Sequence, residues 1–287
     1  MRYARPETST EASRLLVTEP GLARVLAGGT DLLVQLKAGM TEPDLIVDIK
    51  GLPGIAGITR EAGGFRIGAA VPNQAMGEDK ALVAAWPGVV EAASLIGSTQ
   101  VQGRSTISGN LCNASPAGDS VPALAAADAV ARISGPNGER DVPALDVAVS
   151  PGKTRLAKGE FVTSIFLPAR PAHAGDAYLR FIPRTEMDIA VCSAGVNLVL
   201  DASGTITAAR VALGAVAPVV LLVEAAAAAI IGSKLDAAAL VRLAKAAEAA
   251  CRPISDKRGT VEFRTEVAGV LTRRAATIAY ARARAAK

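Results

Sequence analysis

The sequence predicts an α+β protein of at least two domains, and three observations carry that expectation. Strand and helix patterns form a compact β-α-β unit in the first fifty or so residues and then alternate from Gly54 to Pro168. Past a Pro/Ala-rich stretch, Pro168 to Gly175, the pattern changes to antiparallel-looking strands followed by helices, which puts a domain boundary near residue 172. Half of the 287 residues are apolar and only 3% are aromatic, so the cores are filled mostly by Ala, Val, Leu and Ile.

Taken in order, Thr8-Ser9-Thr10-Glu11 ahead of an apolar run has the form of a helix cap, and Ala12 to Thr18 continues with helical periodicity. Ala23 to Ala27 reads as a short strand, Gly28-Gly29-Thr30-Asp31 as a turn, Leu32 to Ala38 as a helix and Leu45 to Ile49 as a buried strand. Phe65 to Ala70 is expected as a strand and Ala81 to Leu95 as one helix. Gly97 to Asp119 has almost no apolar periodicity and is long for a structureless connection, which marks it as a functional loop. Ser120 to Ala127 then reads as a helix, and Ala129 to Ser134 with Glu139 to Val142 as a hairpin around Pro136-Asn137-Gly138. The C-terminal part is expected to hold strands at Tyr178 to Ile182, Ile189 to Leu200 and Ile206 to Ala212, with a turn at Asp201 to Gly204. Val211 to Gly232 approaches the length of a membrane span, but Gly214, Pro218 and Glu224 interrupt it; it reads as a buried strand, a turn, and an Ala-rich helix from about Leu221.

Composition narrows the function classes. Scarce aromatics argue against base-stacking nucleic-acid binding. Cys112, Cys192 and Cys251 form no CxxC pair and are too few to hold an iron–sulfur cluster, which points to a reducing compartment and no cluster in this chain. His173 is the only histidine and lies in the expected linker, so neither a His-based metal site nor a Ser-His-Asp triad is expected. No apolar leader is visible at the N-terminus, and a cytoplasmic location is expected. The net charge of +4 is uneven: residues 252–287 carry nine basic and three acidic side chains, a solvated helix surface or a docking face.

Two segments carry chemistry. In Val25-Leu26-Ala27-Gly28-Gly29-Thr30-Asp31-Leu32-Leu33, paired glycines between strand and helix let backbone N–H groups approach an anion, with the helix start and the Thr30 hydroxyl adding donors. The same pattern also serves as a plain strand-to-helix connection, and it is neither GxGxxG nor a P-loop. The second segment, Gly97 to Asp119, offers hydroxyls, Asn110, Asn113 and Asp119 without bulk, as a loop around a polyhydroxylated, phosphate-bearing ligand requires; a serine-rich surface loop has the same composition. Cys112 is either a redox thiol or a small packing residue, Asp119 a ligand acceptor or an Asx turn, and Trp86 a core anchor. Arg180 and Arg184 stay open between solvent, a phosphate and a partner.

Ala27-Gly28-Gly29-Thr30-Asp31, Thr106-Ile107-Ser108-Gly109-Asn110 and the following Asn-Ala-Ser-Pro-Ala-Gly-Asp together resemble the FAD-binding medium subunits of molybdenum hydroxylases. That group includes the flavoprotein subunit of aerobic carbon monoxide dehydrogenase and the FAD domain of xanthine dehydrogenase. The likeness continues through Gly159 to Pro168, Met187-Asp188-Ile189-Ala190, Leu213 to Pro218, Asp256-Lys257-Arg258-Gly259 and Glu262-Phe263-Arg264, and so spans nearly the whole chain in order. It implies a two-part FAD-binding region of the vanillyl-alcohol-oxidase (PCMH) type, with a small subdomain at 1–53 and a large one at 54–172, then an α+β domain at 173–287 of the CO dehydrogenase flavoprotein type.

By residue match, Leu26, Ala27, Gly28, Gly29, Thr30, Asp31, Leu32 and Leu33 would hold the FAD diphosphate, with Thr106, Ile107, Ser108, Gly109 and Asn110 opposite. Asp119 would accept from ligand hydroxyls; Ile96, Gly97, Cys112 and Val162 would line the cofactor; Arg180, Asp188 and Ile189 would approach the isoalloxazine. The resemblance further implies an electron-transfer subunit with no catalytic or metal-binding residue of its own. A [2Fe-2S] subunit carrying two clusters and a molybdopterin-binding large subunit would be its partners, in a dimer of heterotrimers. An external acceptor (NAD, quinone or oxygen) would take the electrons, and neither nucleic acid nor a membrane span is implied. The alternative is a stand-alone FAD-dependent oxidase of the vanillyl-alcohol-oxidase type. The chain departs from the family at Ser108, where a glycine is usual and a Cβ restricts the backbone, and in the apolar run Val219 to Leu222.

Overall fold

A computed structural model describes residues 1–286 of the chain, arranged around three main sheets. In the first, β1 (Arg2–Ala4), β2 (Ala23–Leu26) and β3 (Leu45–Asp48) run parallel in the order β1-β3-β2. Helix α1 (Ser9–Thr18) joins β1 to β2, and α2 (Leu32–Lys37) joins β2 to β3. The Thr8 hydroxyl accepts from the Glu11 N–H and starts α1, as the cap pattern predicts. Strand β3 is central and buried along its whole length, hence the unbroken Leu-Ile-Val run before Asp48.

The second sheet is antiparallel. β4 (Ile58–Glu61), β5 (Gly64–Gly68), β6 (Val130–Gly135), β7 (Gly138–Pro143) and β10 (Phe161–Leu167) stand in the order β4-β5-β10-β6-β7, and β8 (Ala148–Ser150) pairs with β9 (Lys153–Thr154) beside it. Between β5 and β6 the chain inserts five helices: α3 (Asn73–Glu78), α4 (Lys80–Ala85), α5 (Pro87–Ser94), α6 (Ile107–Cys112) and α7 (Ser120–Ala126). They close a core of Phe65, Ile67, Met76, Leu82, Trp86 and Leu124. Trp86 is an anchor as expected: it is buried, and its indole N–H donates to the Pro168 carbonyl at 3.2 Å.

In the third sheet β11 (Ala174–Phe181), β12 (Cys192–Leu200), β13 (Ile206–Gly214) and β14 (Leu221–Leu222) are antiparallel in sequence order. Helices α8 (Glu224–Ala228), α9 (Ala237–Ala250) and α10 (Val261–Ala285) complete this part, and α10 packs on β11 and β12. The approach is close enough that a Cβ at Gly175 would stand 2.0 Å from the Ala279 carbonyl oxygen. Among the described residues no helix is long and apolar enough to cross a membrane.

Several local expectations need correction. The single helix over Ala81 to Leu95 is two helices, because Pro87 has no N–H to donate and holds Trp86 out of the helical region (φ −132°, ψ 60°). The Gly97 to Asp119 segment is not structureless: it contains a 3-10 turn at Thr99–Val101 and helix α6. The Pro168 to Gly175 linker is shorter than expected, since β11 begins at Ala174 directly after His173, which turns the chain at φ +53°. The strand expected from Ile189 begins only at Cys192, and Leu221–Leu222 is a strand paired with β13, so the Ala-rich helix starts at Glu224. The basic C-terminal segment is not uniformly solvated. Arg264 is buried, donating to the Val191 carbonyl at 2.7 Å and pairing with Asp256, and Arg282 pairs with Glu91 of α5; Arg273 and Arg274 are exposed.

Candidate cofactor-binding site

A cleft of about 390 Å³ opens at the carboxyl ends of β2 and β3, the end at which parallel strands of α/β sheets receive ligands. One wall is the turn after β2. Gly29 there has φ +85°, a conformation that favours glycine, and a Cβ on Gly28 would sit 1.9 Å from the Arg104 carbonyl oxygen. The N–H groups of Gly28, Gly29, Thr30, Asp31 and Leu32 have no acceptor among the described residues; the first intrachain bond past the turn is Leu33 N–H to the Gly29 carbonyl at 2.9 Å. Five successive free donors form an anion nest. Helix α2 has only six residues, so the backbone donors themselves carry the site.

The facing wall is α6. The Thr106 hydroxyl accepts from the Gly109 N–H at 2.9 Å and sets the start of this helix. The Asn110 Oδ1 accepts from the N–H and hydroxyl of Ser120 at 3.0 and 2.8 Å, which fixes α6 to α7. Ser108 is buried in this wall and its hydroxyl has no partner within the chain. The restriction that its Cβ places on φ is accommodated, because Ser108 lies inside α6 with a helical conformation. Asn113, one of the polar groups of the loop, ties the walls together with Gln35, which sequence reasoning missed. Asn113 donates to Asp31 and accepts from Gln35, both at 3.3 Å. Ile49, Ala69, Leu156, Phe161 and Val162 supply apolar surface, and Ile96 also lines the cleft.

The fold therefore brings together Leu26, Ala27, Gly28, Gly29, Thr30, Asp31, Leu32, Ile96, Thr106, Ser108, Gly109, Asn110, Cys112 and Val162. Leu33 is exposed on α2 and Ile107 is buried in the core, so neither side chain lines the cleft. Burial pushes the Cys112 thiol up to about 12, which makes it a neutral packing residue and not a redox thiolate. Burial also raises Asp31.

Asp119, Arg180, Asp188 and Ile189 stand apart from the cleft wall. The Asp119 carboxylate is buried and accepts from the Tyr178 hydroxyl at 2.9 Å and from Arg180 at 2.7 Å. Burial lifts it to about 6, against the pull of Arg180 and Tyr178. Arg184 donates to Asp188 at 3.1 Å and to the Met187 carbonyl at 2.8 Å. Asp188 is held low by the Ile189 N–H and by Arg184, and Ile189 is half exposed. The segment reaches the cleft region through one bond, Met187 N–H to the Gly97 carbonyl at 3.2 Å, next to Ile96.

Residues 1–170 match the family described as the FAD binding domain in molybdopterin dehydrogenase, and residues 177–279 match the CO dehydrogenase flavoprotein C-terminal domain. The chain belongs to the FAD-binding medium subunits of the molybdenum hydroxylases. Such a subunit is part of an oxidoreductase and takes FAD as its cofactor. Among similar proteins of this family, the carbon monoxide dehydrogenase medium chain of Afipia carboxidovorans is 34% identical over 282 residues, covering 98% of this chain and 97% of that one. The xanthine dehydrogenase FAD-binding subunit of Escherichia coli O157:H7 is 31% identical over 283 residues, covering 98% and 96%. A solved carbon monoxide dehydrogenase from Hydrogenophaga pseudoflava, in a form lacking the Mo-pyranopterin moiety of the molybdenum cofactor, superposes with a TM-score of 0.93 at 34% identity and 98% coverage of each chain.

The medium-subunit cleft fits FAD on its own chemistry. A diphosphate matches five free N–H donors, the Ser108 hydroxyl has no partner within the chain, and the absence of a side chain at Gly28 lets the turn pack directly on the Arg104 carbonyl.

Proposed function

We propose that this chain is the flavin subunit of a three-component molybdenum hydroxylase, taking electrons from a [2Fe-2S] subunit with two clusters and passing them to NAD, a quinone or oxygen. FAD, when bound, supplies the exchange between one-electron and two-electron steps. The observation that carries the reading is the row of five acceptor-free N–H groups from Gly28 to Leu32, facing the Thr106–Asn110 wall. In this reading Leu26 to Leu32 take the diphosphate; Thr106, Ser108, Gly109 and Asn110 stand opposite; Ile96, Cys112 and Val162 flank the ligand; Leu33, Gly97 and Ile107 only adjoin these residues along the chain. Arg180, Asp188 and Ile189 belong to its isoalloxazine end, whereas Asp119, expected to accept from ligand hydroxyls, has both oxygens taken by Tyr178 and Arg180 and fixes the third sheet to α7.

The medium subunit divides at 53/54 and 172/173 in this reading. A molybdopterin-binding large subunit oxidises the substrate, the assembly is a dimer of heterotrimers, and it works in the cytoplasm. The test is purification with whatever copurifies, an absorption spectrum, and acid release with mass identification of the chromophore. FAD with iron–sulfur absorbance and two further chains is the expected result. FAD on the isolated chain with substrate-driven bleaching would instead favour a stand-alone oxidase, and a colourless protein that FAD does not reconstitute would overturn the reading.

A further inference from the structure

Next to the Gly28–Gly29 turn, three polar side chains that do not line the cleft form a relay that the diphosphate nest does not include. The Tyr3 hydroxyl donates to Asp48 Oδ2 at 2.5 Å, Lys50 Nζ pairs with Asp48 Oδ1 at 2.7 Å, and Lys50 Nζ also donates to the Ala27 carbonyl at 3.2 Å. Asp48 is buried, at 4% exposure, and closes β3; its Oδ1 further accepts the Lys50 N–H at 3.0 Å. The lysine is therefore held from its own backbone and from Asp48, with its ammonium placed on one carbonyl of the neighbouring strand end.

That carbonyl matters because of the peptide it belongs to. The Ala27–Gly28 bond is trans, so its C=O and N–H point in opposite directions. Pinning the Ala27 oxygen to Lys50 turns the Gly28 N–H away from Lys50. Glycine at position 28 offers the least resistance to a flip of this peptide, and the flipped form would aim a carbonyl at the anion in place of a donor. Asp48 neutralises the ammonium, so the lysine contributes direction more than charge.

Granted FAD in the cleft, we infer that Lys50 is a positioning residue for the cofactor's diphosphate, locking the Ala27–Gly28 peptide with its N–H toward the ligand, and that Asp48 and Tyr3 hold Lys50 for that task. The full chain, freed of cofactor, is titrated with FAD, with ADP, which carries the diphosphate, and with riboflavin, which carries none. Lys50→Met should weaken FAD and ADP about tenfold, the size expected for an ionic hydrogen bond, and leave riboflavin unchanged. Lys50→Arg, which keeps a long cationic donor, should restore most of the loss. The ligand-free Lys50→Met chain should lose stability, because the buried Asp48 loses its cation, so the difference between ADP and riboflavin, not the thermal midpoint, reads the directional role.

Unchanged FAD and ADP binding in Lys50→Met overturns the inference, and so does an equal loss for all three ligands, which would make Lys50 a fold residue only. If Lys50→Arg binds no better than Lys50→Met, the directional role is lost. A wild-type chain that binds none of the three defeats the FAD reading itself and this inference with it, which separates the two failures.

Discussion

In the Gly28–Leu32 turn five backbone N–H groups have no acceptor within the chain, whereas the equally polar Asp119 carboxylate has both oxygens engaged, one by Tyr178 and one by Arg180. A carboxylate enclosed as Asp119 is must be paired, since leaving one unpaired costs about 1–3 kcal/mol, whereas the donors of the turn lie half exposed in the cleft, where water can serve them until a ligand displaces it. The open run of donors is available to a ligand, and the saturated carboxylate is a place where the fold holds itself. Asp119 sits at the start of α7 and its partners lie on β11, so the pair fastens the third sheet to the helices beside the cleft. Arg282 and Glu91 make a second fastening between α10 and α5, and Arg282 also donates to the Asp176 carbonyl at 2.8 Å. The cofactor region and the joint next to it use the same residue types under opposite rules.

The largest expected effect comes from breaking the saturated side. Arg180→Met leaves Asp119 buried without its cation, and removal of one partner from such a pair costs about 3–5 kcal/mol. Urea unfolding at neutral pH measures it; a loss below ~1 kcal/mol would show that Asp119 is not held as described. The same carboxylate gives a pH signature. Its folded value is raised to about 6 by burial, partly offset by Arg180 and Tyr178, while the unfolded value is that of an ordinary aspartate near 4. Folding then takes up a proton between about pH 4 and 6, so stability falls as pH rises through that window and is level on either side, by roughly 3 kcal/mol in all. Asp119→Asn should remove this slope from the pH profile of unfolding, and a slope that survives the substitution assigns it to another group.

The two regions were not equally legible in the sequence. The nest is local: Ala27 to Leu32 is contiguous, its glycines announce the turn, and the facing Thr106 to Asn110 follows within one segment. Local signals also placed the Thr8 cap and the hairpin at Pro136-Asn137-Gly138. Pro87 was a local signal too, and it outweighs the helical periodicity around it. What the sequence hides depends on distant strands meeting. Asp119 and Arg180 are 61 positions apart and Gln35 and Asn113 are 78 apart, and no period or motif relates them. Lys50 looks like a surface lysine until β2 and β3 bring it beside Ala27.

On the unsaturated side, Gly28→Ala is the sharper test of the nest. The new Cβ would meet the Arg104 carbonyl oxygen at 1.9 Å, and that oxygen belongs to backbone that must shift to admit it. Overpacking of this kind costs about 1–3 kcal/mol of fold stability, and the shift it forces in the turn that carries the nest should also lower FAD affinity. Equilibrium titration of flavin fluorescence measures the change. Affinity equal to that of the wild type would mean that the turn does not approach the ligand closely.

Ser108 gives the smallest effect and the most discriminating one, because its sign differs between two measurements. Its hydroxyl is buried in the α6 wall with no partner in the chain. If the hydroxyl is kept for the ligand, Ser108→Ala removes a hydrogen bond from the complex and lowers FAD affinity by about threefold to tenfold. In the ligand-free chain the same substitution removes an unpaired polar atom, and alanine is the better helix former, so the unfolding midpoint should hold or rise. A residue that served only the fold would move both quantities together. Lower affinity with equal or greater stability therefore places Ser108 with the Gly28 turn as a group held open for ligand, and lower stability with unchanged affinity places it with Asp119 as part of the frame.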